Sequence, residues 1–317
     1  MPEAIRADDS LASRAGRMRL IFEMETSDPD DFLTLLWLAD HPDVELLGVL
    51  VTPGSRDQCQ LVRWGLDQCG RHDVPIGSFR GNAWWDSDDG AKPRVSRFHY
   101  RHFGESIRAY DPGMVVHGPP ICASLLQGQP DVTVLVGAPP KHVGTVLVSR
   151  PDVLVSRVVQ QGGFAGDNLV AAPLEKFRGR LTCSSFNLTG AWQETMTLLN
   201  ATQVQRRLFV SKNVCHGVVW SRAMGAELAT LHGESSPRAG RRMMIEALDA
   251  HLNERGAGKA MHDLVAAACA LDEQVCRFSE VEIYRERGEW GARDASGTNT
   301  FISVDVDTAR LLRTLAR

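Results

Sequence analysis

The chain has 317 residues, 43% of them hydrophobic and 23% charged, with a net charge of −4 and a pI near 6.2. That length supports a sizeable core. The charge balance gives no basic surface for a nucleic-acid polymer or a membrane, and no apolar run approaches a transmembrane helix.

Met1 to Arg17 is polar, lacks the apolar centre of a signal peptide, and reads as a disordered lead-in. Residues 18–317 then read as one domain, with no repeat and no low-complexity linker. The seven cysteines form no CxxC pair, and most have apolar neighbours. Reduced cysteines in a cytoplasmic protein are expected from that pattern.

Met18 to Phe22 reads as a first strand. It runs into an acidic stretch, with Glu23, Glu25, Asp28, Asp30 and Asp31 within nine positions, and then into an apolar helix ending near Asp40 before His41-Pro42. Val44 to Val51 is a buried parallel-type strand, Gln58 to Cys69 an amphipathic helix, and Val74 to Gly77 a short strand. Arg80 to Asp111 breaks this rhythm with Trp84, Trp85, Asp86, Asp88, Asp89, His99 and Tyr100. A loop of that length covers a ligand, or else forms a surface excursion or an oligomer contact.

The alternation then returns. Helices are expected at Pro120–Gln127, Val143–Ser149 and Gly190–Asn200, and strands at Val132–Val136, Val153–Gln160 and Leu208–Val210. Ser221 to Ala270 reads as mostly helical. Val281–Tyr284 and Phe301–Val304 read as late strands in a hairpin, and Thr308–Ala316 as a closing helix. The pattern predicts an α/β fold: an open, mostly parallel sheet flanked by helices, with a Rossmann-like core and a small late hairpin.

Five carboxylates between two apolar elements repel one another, and burial penalises each. A hard cation held by oxygen ligands offsets both effects. In open α/β sheets ligands bind beyond the carboxyl ends of the strands, and the polar punctuation collects there: the acidic loop, Ser55, Gly137, Asn168, Asn187 and the later His262-Asp263. Trp84, Trp85, His99, Tyr100 and Trp220 are candidates for stacking on a base, or else for packing.

The ordered set of Glu23-Met24-Glu25 with Asp30-Asp31, Val136-Gly137-Ala138-Pro139, Gly162-Gly163 with Asn168, Phe186-Asn187, and Met261-His262-Asp263-Leu264 resembles the nucleoside hydrolase family of the inosine–uridine preferring type. The resemblance spans the chain from about Arg19. It implies hydrolysis of the N-glycosidic bond of a ribonucleoside, with one calcium ion as cofactor. Glu25, Asp31, Asp263 and the Val136 carbonyl would hold the ion. Glu25 and Asp28 are alternative proton acceptors for the attacking water, and His262 matches the residue that protonates the leaving base, its carboxylate neighbours favouring the charged imidazolium. Asp30, Ser55, Asn168, Ser185 and Asn187 would bind substrate.

The acidic loop has one residue more than the family motif, and Glu stands for Asp at Glu23 and Glu25. Ser185 stands where the family has a glutamate near the sugar 5′-hydroxyl, with Lys176, Arg178 and Lys212 nearby in sequence. A 5′-modified ribonucleoside, such as a 5′-phosphate, is therefore one expectation and a retuned 5′-hydroxyl contact the other. The resemblance also implies a homodimer or tetramer and a small-molecule partner, nucleoside or nucleotide. The alternative function is a weakly active or inactive ribosyl-binding relative acting as a sensor or partner-binding module.

Overall fold

In the computed structural model, residues 16–81, 94–232 and 237–317 are described. Eleven strands form one sheet: β1 (Met18–Met24), β2 (Val44–Val51), β3 (Ile76–Ser78), β4 (Val115–His117), β5 (Thr133–Val136), β6 (Val155–Gln161), β7 (Thr182–Cys183), β8 (Val204–Val210), β9 (Cys276–Glu286), β10 (Glu289–Asp294) and β11 (Thr300–Val306). The helices are α1 (Pro29–Ala39), α2 (Arg56–Gln68), α3 (Arg97–Phe103), α4 (Gly118–Leu126), α5 (Lys141–Ser149), α6 (Phe186–Gly190), α7 (Trp192–Asn200), α8 (Lys212–Cys215), α9 (Arg222–His232), α10 (Ala239–Arg255), α11 (His262–Leu271) and α12 (Thr308–Leu315).

The strand order is β4-β3-β2-β1-β5-β6-β8-β11-β9-β10-β7. The first seven run parallel, and β11 is parallel to β8. Beyond it β9, β10 and β7 add antiparallel pairs. The chain builds outward from β1 through β2, β3 and β4, then crosses back to continue through β5, β6 and β8. The crevice between β1 and β5 is thus the point where strand order reverses, which is where open α/β sheets bind ligands.

Alternation along β1 divides the core. Leu20, Phe22 and Met24 pack with α1, α10 and α11 on one face, while Ile21 packs with β5 and α5 on the other. Glu23 shares the Ile21 face. Its carboxylate accepts the His142 and Val143 amides at 2.8 and 3.2 Å, at the positive end of α5. Strand parity therefore removes Glu23 from the acidic loop. Burial pushes its carboxyl up to about 8 despite those amides.

Asp28 caps α1, Pro29 occupies its first turn and Asp30 and Asp31 follow. The helix is apolar all round and buried along its length. Its indole at Trp37 donates to the Leu315 carbonyl at 3.2 Å.

Several expectations change. The 80–111 stretch is not one loop: Ser96 caps α3, a 3-10 turn follows at Glu105–Ala109, and β4 closes the region. Trp84, Trp85, Asp86, Asp88 and Asp89 lie outside the described residues, as does the lead-in up to residue 15. The late hairpin is a three-strand antiparallel extension, β9, β10 and β11. Strand β8 begins at Val204, earlier than expected, because Arg206 and Arg207 interrupt its apolar pattern. Among the described residues no helix is long and apolar enough to cross a membrane.

Candidate active site

Two helix N-termini meet at the carboxyl end of β1. Asp30, in the first turn of α1, accepts the His262 and Asp263 amides of α11 on one oxygen, at 2.9 and 3.1 Å. Asp31 accepts the Glu25 amide at 3.0 Å. These bonds bring Asp30, Asp31 and Asp263 together, all buried, with carboxylate oxygens mutually within 4.8 Å.

The cluster lines a cavity of about 380 Å³ with Glu25, Ser27, Asp28, Gly137, Gln161, Ser185, Phe186, Asn187, Lys212, His216 and His262. Gly137 makes the close approach possible. A Cβ there would lie 2.8 Å from both Asp31 Oδ1 and Asp263 Oδ1. Its amide donates to the Glu23 carbonyl at 2.8 Å, and its carbonyl accepts Asn187 Nδ2 at 2.6 Å. Asn187 also donates to Gln161 Oε1 at 2.7 Å, which fixes its amide at the cavity floor.

Burial, then repulsion from Asp263, holds the Asp30 and Asp31 carboxyls well above the usual range. Asp263 is pushed up to about 7 by burial, tempered by proton sharing with Asp31 and Asp30. Its Oδ1 is buried with no hydrogen-bond partner among the described residues. An oxygen-only donor set with an orphaned carboxylate oxygen and mutual repulsion fits a hard divalent cation. Val136 ends β5 one residue before Gly137; its carbonyl accepts Gln160 Nε2 at 3.1 Å, and Val136 is not among the residues that line the cavity.

The two candidate bases differ. Glu25 is folded back on its own loop, accepting the Ser27 amide and hydroxyl at 2.5 Å each and the Asp28 amide at 3.3 Å. It lines the cavity but is not part of the close carboxylate trio. Burial raises its carboxyl above the usual range against those bonds. Asp28 pairs with Lys259 at 2.6 Å. Burial alone would raise Asp28, but its hydrogen bond with Asp30 and the Lys259 ammonium hold it well below the carboxylate range.

Lys259 carries no motif and its role is not readable from the sequence. It lies 3.8 Å from Asp30 as well, so it neutralises part of the acidic wall. Burial works against its charge, and Asp30 and Asp28 outweigh that effect.

The expected charged form of His262 is not what the structure supports. Burial and then Lys259 lower it to about 4, so the ring is neutral near pH 7. Its neighbour His216 lies against it, with ring centroids 4.4 Å apart and the planes tilted by 36°, and is lowered to about 3, by burial and then by His262, Lys176 and Lys212.

Two expected substrate residues lie away from the cavity. Ser55 starts α2, exchanging hydrogen bonds with Gln58 and donating to Asp57. Asn168 donates to the Ala292 carbonyl of β10 at 3.2 Å. The stacking candidates His99, Tyr100 and Trp220 are buried in packing, and none lines the cavity. Ser185 and Asn187 do line it. Gln161, Lys212 and His216 join them, at the end of β6 and after β8, where a polar residue alone signals little.

No family model matches the sequence. The chain is 27% identical over 305 residues to an uncharacterized protein of Aquifex aeolicus, covering 91% of this chain and 94% of that one. Solved structures share its fold at low identity. A plant nucleoside hydrolase superposes with a TM-score of 0.66 at 15% identity, covering 94% of this chain and 98% of that one. The purine-preferring ribonucleoside hydrolase of Gardnerella vaginalis gives 0.66 at 14% identity, with 94% and 98% covered. The inosine-uridine preferring nucleoside hydrolase of Bacillus anthracis gives 0.66 at 14%, with 95% and 98% covered. The fold is therefore that of the nucleoside hydrolases; activity must be argued from the site itself.

Proposed function

We propose that this chain hydrolyses the N-glycosidic bond of a ribonucleoside, or of a 5′-modified ribonucleoside, with one calcium ion bound at the acidic cluster. The observation that carries this reading is the buried trio of Asp30, Asp31 and Asp263, with its unpartnered oxygen, beside Asn187 at the switch point of the sheet.

Asp31, Asp263 and the Val136 carbonyl would hold the ion. When bound, it supplies Lewis acidity to a water and to the sugar hydroxyls. Asp30 and Asn187 orient the sugar. Glu25, with its raised carboxyl, is the better proton acceptor at neutral pH, whereas Asp28 is kept as an anion by Lys259. The water oxygen forms the new bond to the anomeric carbon as the carbon–nitrogen bond breaks. The base leaves with that electron pair and gains one proton, equivalent to the one Glu25 receives. His262 meets the leaving base as a neutral hydrogen-bonding ring.

The test is release of free ribose from inosine, uridine and their 5′-monophosphates, with calcium and with a chelator. Turnover that stops with chelator and returns with calcium is expected. Measured calcium binding with no turnover on any of these compounds would overturn hydrolysis. It would favour the second reading, a ribosyl-binding relative, which one feature supports: the Glu25 carboxylate is engaged by its own loop.

A further inference from the structure

The cavity is divided by charge. The carboxylates stand at the ends of β1 and in the first turns of α1 and α11. Ser185, Phe186, Asn187, Lys212 and His216 form the other wall, without a carboxylate.

This wall is rich in donors. The Ser185 hydroxyl, buried at 2% exposure, accepts the Gly163 amide at 3.1 Å, which leaves its own proton for an acceptor in the cavity. Lys212 Nζ donates to the Ser184 carbonyl at 2.8 Å and lies 3.5 Å from Cys183 Sγ. Lys176 Nζ sits 2.8 Å from His216 Nδ1 and, as the donor, places the ring proton on Nε2.

Lys259 already has carboxylate partners in Asp28 and Asp30. Lys212 and Lys176 have none within ion-pair distance among the described residues. A divalent cation offsets charge on the acidic wall and does nothing for these two ammonium groups. A neutral nucleoside would leave half-buried Lys212 without a counter-charge.

We infer that the Ser185–Lys212 wall binds a phosphate carried on the sugar, so that the ligand is a ribonucleoside 5′-monophosphate. The inference rests on the ribosyl-binding reading of the acidic cluster. Ser185 stands two residues before Asn187 on one turn, and the Lys212 ammonium holds the adjacent Ser184 carbonyl. A sugar gripped by its hydroxyls at Asn187 and the carboxylates therefore presents its remaining arm to this wall. Phosphate oxygens accept there from a hydroxyl and an ammonium in charge-assisted hydrogen bonds.

The first test compares ribose 5-phosphate with ribose by calorimetry, with calcium present. Neither ligand carries a base, so an anionic leaving group cannot account for any difference. Ribose 5-phosphate should bind at least about tenfold more tightly, the size expected for one charge-assisted contact. That advantage should largely vanish in Lys212→Met and persist in Lys212→Arg, which separates a charge effect from a folding defect. Equal affinity for the two sugars would overturn the inference, whatever the turnover.

The second test is kcat/KM on inosine against inosine 5′-monophosphate. A preference for the monophosphate that falls about tenfold or more in Lys212→Met supports the inference. A preference for inosine overturns it and leaves hydrolysis standing. Selective binding of ribose 5-phosphate without turnover of either compound keeps the phosphate site and removes the hydrolase reading.

Discussion

Gly137→Ala isolates the geometry on which cation binding depends. The added Cβ would lie 2.8 Å from Asp31 Oδ1, 2.8 Å from Asp263 Oδ1 and 3.0 Å from Asp263 Cγ. Ordinary contact requires each oxygen to retreat by roughly 0.5 Å. The backbone cannot give way easily, because the Gly137 amide is tied to Glu23 and its carbonyl to Asn187. The carboxylates must move instead, and the shift is a sizeable fraction of a calcium–oxygen distance of about 2.3–2.6 Å.

A loss of about 100-fold in calcium affinity is expected, near the upper end for disturbed ligand positioning. At calcium held at about 100 times the wild-type Kd, binding stabilises the native state by about 2.7 kcal/mol, and by about 0.4 kcal/mol in the variant. With an unfolding entropy of about 2.1 cal/mol/K per residue, those figures become a Tm rise of about 4 °C for the wild type and below about 1 °C for the variant. Thermal melts with calcium and with chelator measure both. The chelator melt alone reports the packing penalty, about 1–3 kcal/mol. An equal calcium-induced rise in the two proteins would refute the argument that Gly137 sets the ligand spacing.

Three further outcomes follow from the site and its surroundings. Glu25→Gln should retain calcium binding by calorimetry yet lose at least about 100-fold in kcat, whereas Asp28→Asn should lose less; the reverse order would reassign the base. His262→Gln should lower kcat/KM without reshaping its pH profile between pH 5.5 and 8, since the wild-type ring titrates at about 4; an acidic limb that disappears in the variant would contradict a neutral His262. Glu23 titrates at about 8 when folded against an ordinary value of 4.5, so the native state holds the extra proton between these values. Its contribution is fully present below pH 4.5 and is lost as pH rises through 8. Urea denaturation at pH 5 and pH 8 should show a smaller fall in stability over that window for Glu23→Gln than for the wild type, and an equal fall would exclude Glu23 as the source.

The parallel core was legible because its strands are continuous apolar runs bounded by turn residues, as in Val44–Val51. The site was legible where chemistry is concentrated in sequence: Asp30, Asp31 and Asp263 are brought together as a carboxylate cluster. Ser55 and Asn168 misled because capping and turn residues are the same polar types as ligand-binding ones. Lys259 was hidden because its partners Asp28 and Asp30 are far away in the chain, and the lowered His262 because it follows from burial and from the nearby Lys259, which carries no motif. The fold-back of Glu25 depends on local hydrogen bonds across Ser27 and Asp28, which motif spacing does not encode.

The fold gives each acidic side chain of the opening loop a different neighbour, and that division bears on how many ions the site can hold. Glu23 is spent on the amides of α5, one oxygen of Asp30 on those of α11, and Asp28 on Lys259. Glu25 is engaged by Ser27 and Asp28. Two oxygens face Gly137: Asp31 Oδ1, which accepts the Glu25 amide, and Asp263 Oδ1, which has no hydrogen-bond partner among the described residues. On the proposed reading these two oxygens and the Val136 carbonyl would hold one cation. A second ion would have to displace Lys259 from Asp28 and Asp30, or open the Glu25 loop, exchanging satisfied hydrogen bonds for new repulsion.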